Sequence, residues 1–499
     1  MPMPVEFSQR NVNGKLFCLA QGALLVLMAL SAGVSAILDI PSAMLLYPLC
    51  VLTLALFIWV LWSWTRVTGS FLGPYVIFVI AVFLFNTGQS LLEVFDLNPR
   101  GLLNNAFVPE TLVQAVFLTA VGISAFHFGA LLAAGRAAPL LSERPAQWLL
   151  EECSATRLVG WSLLAISVVP EIVTVSESMT AVMAHGYFVG LFQREPPISI
   201  SAVPFILSNC FVPGALFLMA GNDGRRRPWN VLPPALIVVH AALYFFIGIR
   251  APATAALAAY AWLHHRRISK LPLLRAVVLA SVMLVFVLPL VRAVRDISGE
   301  DRSTVQSVAD GWQRVDNPLV SILSEMGGTL AVTAYTIDLL PAVRNFAYGE
   351  SYLTAALSVI PNLSGSGSLH PTVSHGTPAA WLMDTVDTSR AAVGGGLGYS
   401  LIAEAYFNFG WFFSPVALAL LGFLYARLVF WAADRGGPAE AALIASFMLF
   451  FLIYSRGESA SIVRGVCWYA AVPYLCVRLL RPMHRLKSRR GGSVVPIIQ

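Results

Sequence analysis

Residues 465–490, GVCWYAAVPYLCVRLLRPMHRLKSRR, decide the fold. Positions 465–480 are apolar enough to cross a bilayer, and the tail behind them carries Arg481, Arg485, Lys487, Arg489 and Arg490. A dense basic cluster directly after an apolar span marks the cytoplasmic side. Working outward from this last span, eleven more stretches approach the ~20 residues that a bilayer requires. They are 16–37, 43–64, 71–92, 111–134, 157–175, 203–221, 231–249, 252–265, 272–291, 411–431 and 439–455. The stretch 252–265 is short enough to be partly re-entrant. The expected fold is therefore all-α, a polytopic membrane protein of about twelve transmembrane helices. An even count places both termini in the cytoplasm, together with Arg225-Arg226-Arg227 and the Arg266-Arg267…Lys270 stretch.

Composition agrees. The 499 residues are 57% hydrophobic and 12% charged, and a soluble chain carries roughly twice that charge. The net charge of +6 mostly records the positive-inside bias, so no nucleic-acid partner is expected. The first apolar stretch is long enough to remain as an anchor, and no cleavable signal stands out. Residues 1–499 read as a single membrane domain, with a large external segment, 292–398, inserted between spans nine and ten. Within it, 317–341 (NPLVSILSEMGGTLAVTAYTIDLLP) is apolar enough for a helix or two lying against the membrane. Gly-Ser-Gly-Ser at 365–368 and Gly394-Gly395-Gly396 mark flexible connections. Cys18, Cys50, Cys210, Cys467 and Cys476 fall in spans and Cys153 in a cytoplasmic loop. No disulfide framework or metal-ligand spacing follows, and the thiols read as core filler.

The basic residues are sorted unequally. Lys15, Lys270 and Lys487 all fall in cytoplasmic segments. The external segment carries Arg292, Arg295, Arg302, Arg314, Arg344 and Arg390, and shorter external turns carry Arg250, Arg456 and Arg464. Arginine without lysine suggests a need for the planar fork that grips phosphate or carboxylate in a bidentate way. An external site for an anionic, phosphorylated ligand is the first expectation.

Three constellations could carry chemistry. In Tyr454–Tyr469 (YSRGESASIVRGVCWY), Arg456, Glu458 and Arg464 sit where two spans meet; a snorkelling ion pair is the plainer alternative. In Gly248-Ile249-Arg250-Ala251-Pro252 an arginine occupies a tight turn at a helix start, where exposed N–H groups also favour an anion. In Gly394–Gly410 (GGGLGYSLIAEAYFNFG), Glu404 and Asn408 share a helix face at i, i+4, and Tyr399 and Tyr406 add hydroxyls. A partly desolvated carboxylate there could act as a general base; pairing to a loop arginine is the alternative. Arg292 and Arg295 share a face at i, i+3. His370 and His375 could carry protons. Asp384 and Asp387 are too far apart for a compact metal motif and read as surface.

These residues resemble the Wzy-type O-antigen polymerases, including the related polymerase of enterobacterial common antigen. The matching elements are the G-x-R turn at Gly248–Arg250, the arginine-ended span before a large loop and the GESYL…IPN stretch from Gly349 to Asn362. GYSLIAEAYFNFGW and the R-x-E-S-x-x-x-x-R turn from Arg456 to Arg464 complete the set, which covers roughly residues 240–475. The resemblance implies a GT-C-type glycosyltransferase that takes undecaprenyl-diphosphate-linked oligosaccharide as donor and acceptor. It moves the growing glycan onto the non-reducing end of an incoming repeat unit at the periplasmic face. It also implies a chain-length-regulating co-polymerase and a flippase as pathway partners. No cofactor and no metal are expected. Arg250, Arg292, Arg295, Arg456 and Arg464 would hold the diphosphate, with Glu404 or Glu458 as base and Glu404 favoured, because the arginines flanking Glu458 would occupy its oxygens. Tyr399, Tyr406, Asn408, His370, His375 and Arg390 would contact glycan or move protons.

Two rivals remain open. An O-antigen ligase would share the donor but use lipid A as acceptor. A lipid-glycan flippase would need charges inside the spans, and these spans read as nearly free of charge at mid-depth. The topology is directly testable: cysteine at Ser366 should react with an impermeant thiol reagent in cells with a permeabilised outer membrane. Labelling only after the inner membrane is broken would overturn it.

Overall fold

The computed structural model describes residues 4–136, 146–192, 202–223, 228–295, 312–313, 317–360 and 376–480, and all regular elements among them are helices. In chain order these are α1 (Pro4–Ile37), α2 (Ser42–Thr68), α3 (Pro74–Val94), α4 (Pro109–Gly135) and α5 (Ala146–Phe192). Next come α6 (Ala202–Ser208), α7 (Phe211–Ala220), α8 (Leu232–Ile247) and α9 (Arg250–Arg267). A π-helical turn joins α10 (Leu273–Val282) to α11 (Leu288–Arg295). Five short helices follow: α12 (Pro318–Gly327), α13 (Thr329–Leu339), α14 (Glu350–Leu357), α15 (Pro378–Val386) and α16 (Thr388–Ala392). The chain then runs through α17 (Leu401–Arg435), α18 (Pro438–Phe451) and α19 (Ser459–Val466), which continues to Leu480. The end of the bundle that carries α12 to α16 is called the loop face below.

Ten helices among the described residues are long and apolar enough to cross a membrane, which makes this a multi-pass membrane protein. The expected seventh span is α8, only 16 residues long. The eighth is α9, which starts on Arg250 and ends on His264, His265, Arg266 and Arg267. Two boundaries move. Helix α5 is 47 residues long and runs well beyond both ends of the expected span 157–175, bending at Gly186 (φ 76, ψ 172). The polar residues Ser176, Glu177 and Ser178 end the hydropathic signal, but they do not stop helical hydrogen bonding. Cys153 likewise lies in α5 and not in a loop. The spans are also less free of charge than they read: Glu171 of α5 and His240 of α8 are buried together at 2.7 Å.

The core forms where α4 packs against α1, α2 and α17. Water drives no helices together inside a bilayer, so small residues that admit close backbones matter most. A methyl group added at Gly129 would stand 1.8 Å from the Ala419 carbonyl oxygen, and one at Gly422 would stand 1.9 Å from that of Phe126. A second apolar cluster joins α5, α7, α9 and α18. The 317–341 stretch does form two helices, but they are packed into the bundle. Gln89 of α3 donates to the Ser324 carbonyl (3.0 Å) and hydroxyl (3.1 Å) in α12. Helix α13 buries Thr329, Leu330, Val332, Thr333, Ala334, Thr336 and Ile337, packing against α4 and α17.

Gly129→Val and Gly422→Val should each destabilise the fold by about 1–3 kcal/mol or more, the range for overpacking. Gly33→Ala, with nothing within 4 Å of the added carbon, is the control. Thermal midpoints in detergent measure the difference, and equal midpoints for all three would contradict the packing.

Candidate active site on the loop face

Helix α17 is interrupted at Gly410, whose backbone (φ 61, ψ −160) is open to glycine and closed to most other residues. The break leaves two carbonyls of the preceding turn without helical partners. Phe407 O accepts from Ala347 N–H at 3.0 Å, and Asn408 O from Tyr348 N–H at 2.9 Å. The Asn408 side chain completes the seat. Its Oδ1 accepts from the N–H groups of Gly349 (3.0 Å) and Ser351 (3.4 Å), and its Nδ2 donates to the Ser351 hydroxyl at 2.7 Å. The GESYL stretch and the glycine-led stretch around Glu404 are thus two halves of one joint.

Glu404 lies at the centre of that joint, fully buried. Oε1 accepts from the hydroxyls of Ser351 (2.9 Å) and Ser459 (2.5 Å). Oε2 accepts from the Tyr454 hydroxyl (2.9 Å) and the Ser459 N–H (2.8 Å). Four donors fill the roughly four lone-pair sites a carboxylate offers. A group so occupied can hold a scaffold together, but it has no oxygen to offer a reacting hydroxyl.

Glu458, at the start of α19, is placed differently. Its Oε2 accepts from Ala379 N–H at 2.8 Å, and Thr377 also hydrogen-bonds it. Burial pushes the Glu458 carboxyl above the usual carboxylate range, and those two hydrogen bonds only partly counter it. The arginines beside it in sequence turn elsewhere. Arg456 lies over the Phe85 ring at 5.7 Å, and Arg464 donates through Nε to the Ser358 carbonyl at 2.7 Å, at the end of α14. The expectation that they would occupy Glu458 is corrected on this point.

A cationic cluster forms around Glu325 of α12, a residue the sequence did not single out. Arg250 makes a two-pronged pair with it, Nη1 to Oε2 at 3.0 Å and Nη2 to Oε1. Arg292 Nη1 lies 3.6 Å from Oε2, and Arg295 Nη2 lies 3.6 Å from Oε1. Arg292 also donates to the Ser321 hydroxyl at 2.9 Å, and Arg295 sits over the Tyr187 ring at 5.2 Å. Arg456 is within electrostatic reach of Glu325, Arg250 and Arg295. Burial alone would raise the Glu325 carboxyl, but the Arg250 fork and the charges of Arg292 and Arg295 hold it below its ordinary value. Three guanidiniums therefore lie within 4.0 Å of one carboxylate, with a fourth, Arg456, in electrostatic reach, an arrangement suited to a multiply charged anion.

The other expected residues scatter. Tyr399 is buried, 3.4 Å from the Thr336 hydroxyl, and its N–H donates to Arg456 O. Burial pushes its phenol upward, which keeps it protonated. Tyr406 packs against Phe346 and Trp411. Arg390 is exposed and donates to Gly396 O at 3.5 Å. His370, His375, Arg302, Arg314 and Ser366 lie outside the described residues.

A family model described as O-antigen polysaccharide polymerase Wzy matches residues 23–485. Among curated proteins and among solved structures, nothing matches.

The cluster makes a pH-dependent contribution with a definite sign. Because the Glu325 carboxyl is depressed in the folded state, its stabilisation is complete above the unfolded value of ~4.3. It disappears as pH falls through the lower folded value. Glu325→Gln should lower the thermal midpoint at pH 7, equivalent to about 1.5–3 kcal/mol for lost hydrogen bonds to charged groups. That deficit should shrink in acid; a deficit independent of pH would contradict the ion pairing.

Proposed function

The chain belongs to the Wzy family of O-antigen polysaccharide polymerases, and from that premise we propose the reaction and its machinery. The growing glycan passes from undecaprenyl diphosphate to the non-reducing end of an incoming lipid-linked repeat unit. The site is at the periplasmic face of the bacterial inner membrane, and both termini are cytoplasmic. The enzyme is a GT-C-type glycosyltransferase without a metal, and it works alongside a co-polymerase and a flippase of the same pathway.

The observation that carries this reading is the cluster of Arg250, Arg292, Arg295 and Arg456 around Glu325. The departing group is a lipid diphosphate, and fixed guanidiniums aimed at it supply the positive charge that a metal would otherwise bring. The acceptor hydroxyl attacks the anomeric carbon as the bond from that carbon to the diphosphate oxygen breaks. One direct displacement of this kind inverts the anomeric configuration. Its proton passes to Glu458, whose raised carboxyl is a better proton acceptor near neutrality than an ordinary one. Glu404 and Arg464 are positioning residues. The first clamps Ser351, Tyr454 and Ser459, and the second holds the end of α14.

Surface polysaccharide on a gel tests the reading. Deletion of the gene should leave a single repeat on lipid A core; core with no repeat at all would instead mean ligase or flippase. At matched membrane abundance, Arg250→Lys and Arg456→Lys should each lower polymerisation roughly ten- to a hundredfold, the loss of about 1.5–3 kcal/mol. Glu458→Gln should cost about 10²–10⁴-fold and abolish the decline in rate toward acid. That decline should begin above the ordinary carboxylate range. Near-normal polymer from both lysine variants would sink the diphosphate site, and normal polymer from Glu458→Gln would remove it as base.

A further inference from the structure

Helix α14 is amphipathic with its faces reversed. Its buried residues are small and mostly polar, namely Ser351, Thr354, Ala355 and, just past its end, Ser358. Its large apolar residues point outward: Leu353 is 61% exposed, Leu357 43% and Ile360, in the turn that follows, 67%. Leu353 and Leu357 fall at i, i+4 on one stripe of the helix, and Ile360 follows in the turn. A helix facing water buries its leucines and shows its serines, so this stripe is made for an apolar surrounding.

The position of the helix identifies that surrounding. Its start is joined to α17 at the Gly410 break, through Ala347 N–H to Phe407 O and Tyr348 N–H to Asn408 O. Directly past the break Phe412 is 89% exposed, Phe413 66% and Val416 61%, in a helix long and apolar enough to span a membrane. The stripe of α14 thus continues the lipid-facing surface of a span. Trp468 donates its indole N–H to Val359 O at 2.8 Å while its ring is part-exposed, the arrangement aromatic residues adopt at a membrane boundary.

We propose that α14 is embedded in the membrane leaflet on the loop face, with Leu353, Leu357 and Ile360 among lipid acyl chains. The embedded face and the Glu404 joint are then opposite sides of one short helix. Lipid contact on one side therefore fixes the depth at which Ser351 meets Glu404.

The intact purified chain, reconstituted in phosphatidylcholine vesicles doped with phosphatidylcholine bearing a diazirine on its acyl chain, provides the test. After illumination, adducts mapped by mass spectrometry should appear at Leu353, Leu357 and Ile360, with yields like those at Phe412 and Val416. The exposed 384–392 segment should stay unlabelled. Labelling of Phe412 and Val416 with 353–360 untouched would overturn the proposal. Hydroxyl-radical oxidation of Leu353 and Leu357 in the same vesicles, as strong as that of the exposed Val393, would overturn it independently.

Discussion

A carboxylate sealed from solvent dictates how the loop face is assembled. Isolated, a buried charged carboxylate would be prohibitively costly, so Glu404 is tolerable only with its oxygens satisfied. Its donors come from Ser351, 53 residues earlier, and from Tyr454 and Ser459, 50 and 55 residues later. No local structure could supply them, so three distant segments must meet at one point. Asn408, one turn along the same helix, repeats the demand by accepting the first N–H groups of α14. The break at Gly410 makes room for both, because only an interrupted helix has carbonyls to spare for a neighbouring strand of chain.

The arginine cluster obeys a complementary constraint. Four guanidiniums held near one another repel, and partial burial strengthens that repulsion by lowering the local dielectric. Glu325 relieves part of it, and the two-pronged geometry it shares with Arg250 is the geometry a phosphate also accepts. In the proposed reaction an arriving diphosphate offers these guanidiniums further charge-assisted hydrogen bonds of the same kind. The same residues hold α12 against the start of α9 and the end of α11. Assembly of the anion site and docking of that helix are therefore one event.

Much of this was legible, for identifiable reasons. Spans declare themselves by apolar length, and cationic residues near a membrane stand out because they are costly there. Arg250, Arg292, Arg295 and Arg456 were all visible in this way. Glu325 was not: it is one acid in an apolar stretch, 75 residues from the arginine it pairs with, and no spacing rule links them. Arg464 was as visible as those arginines. The sequence could not show, however, that its Nε donates to the Ser358 carbonyl, 106 residues away. The Glu404–Asn408 pair was correctly placed on one face, yet the sequence could not show the hydroxyls that would fill that face. The buried Glu171–His240 contact was missed because each residue is a single polar position in an otherwise apolar helix.

In the proposed reaction the two carboxylates divide the work through one neighbour. Ser459 follows Glu458 directly in the chain, and both its N–H and its hydroxyl are bound by Glu404. The backbone that presents Glu458 is thus anchored by Glu404 one residue away. A proposed base must keep an oxygen within reach of an acceptor hydroxyl, and small misplacement of a reacting group is costly in rate. The saturated carboxylate supplies rigidity to the less saturated one. It follows that both can be indispensable to polymerisation while only Glu458 meets the sugar. Loss of Glu404 should act by shifting a neighbour, and loss of Glu458 by removing the proton's destination.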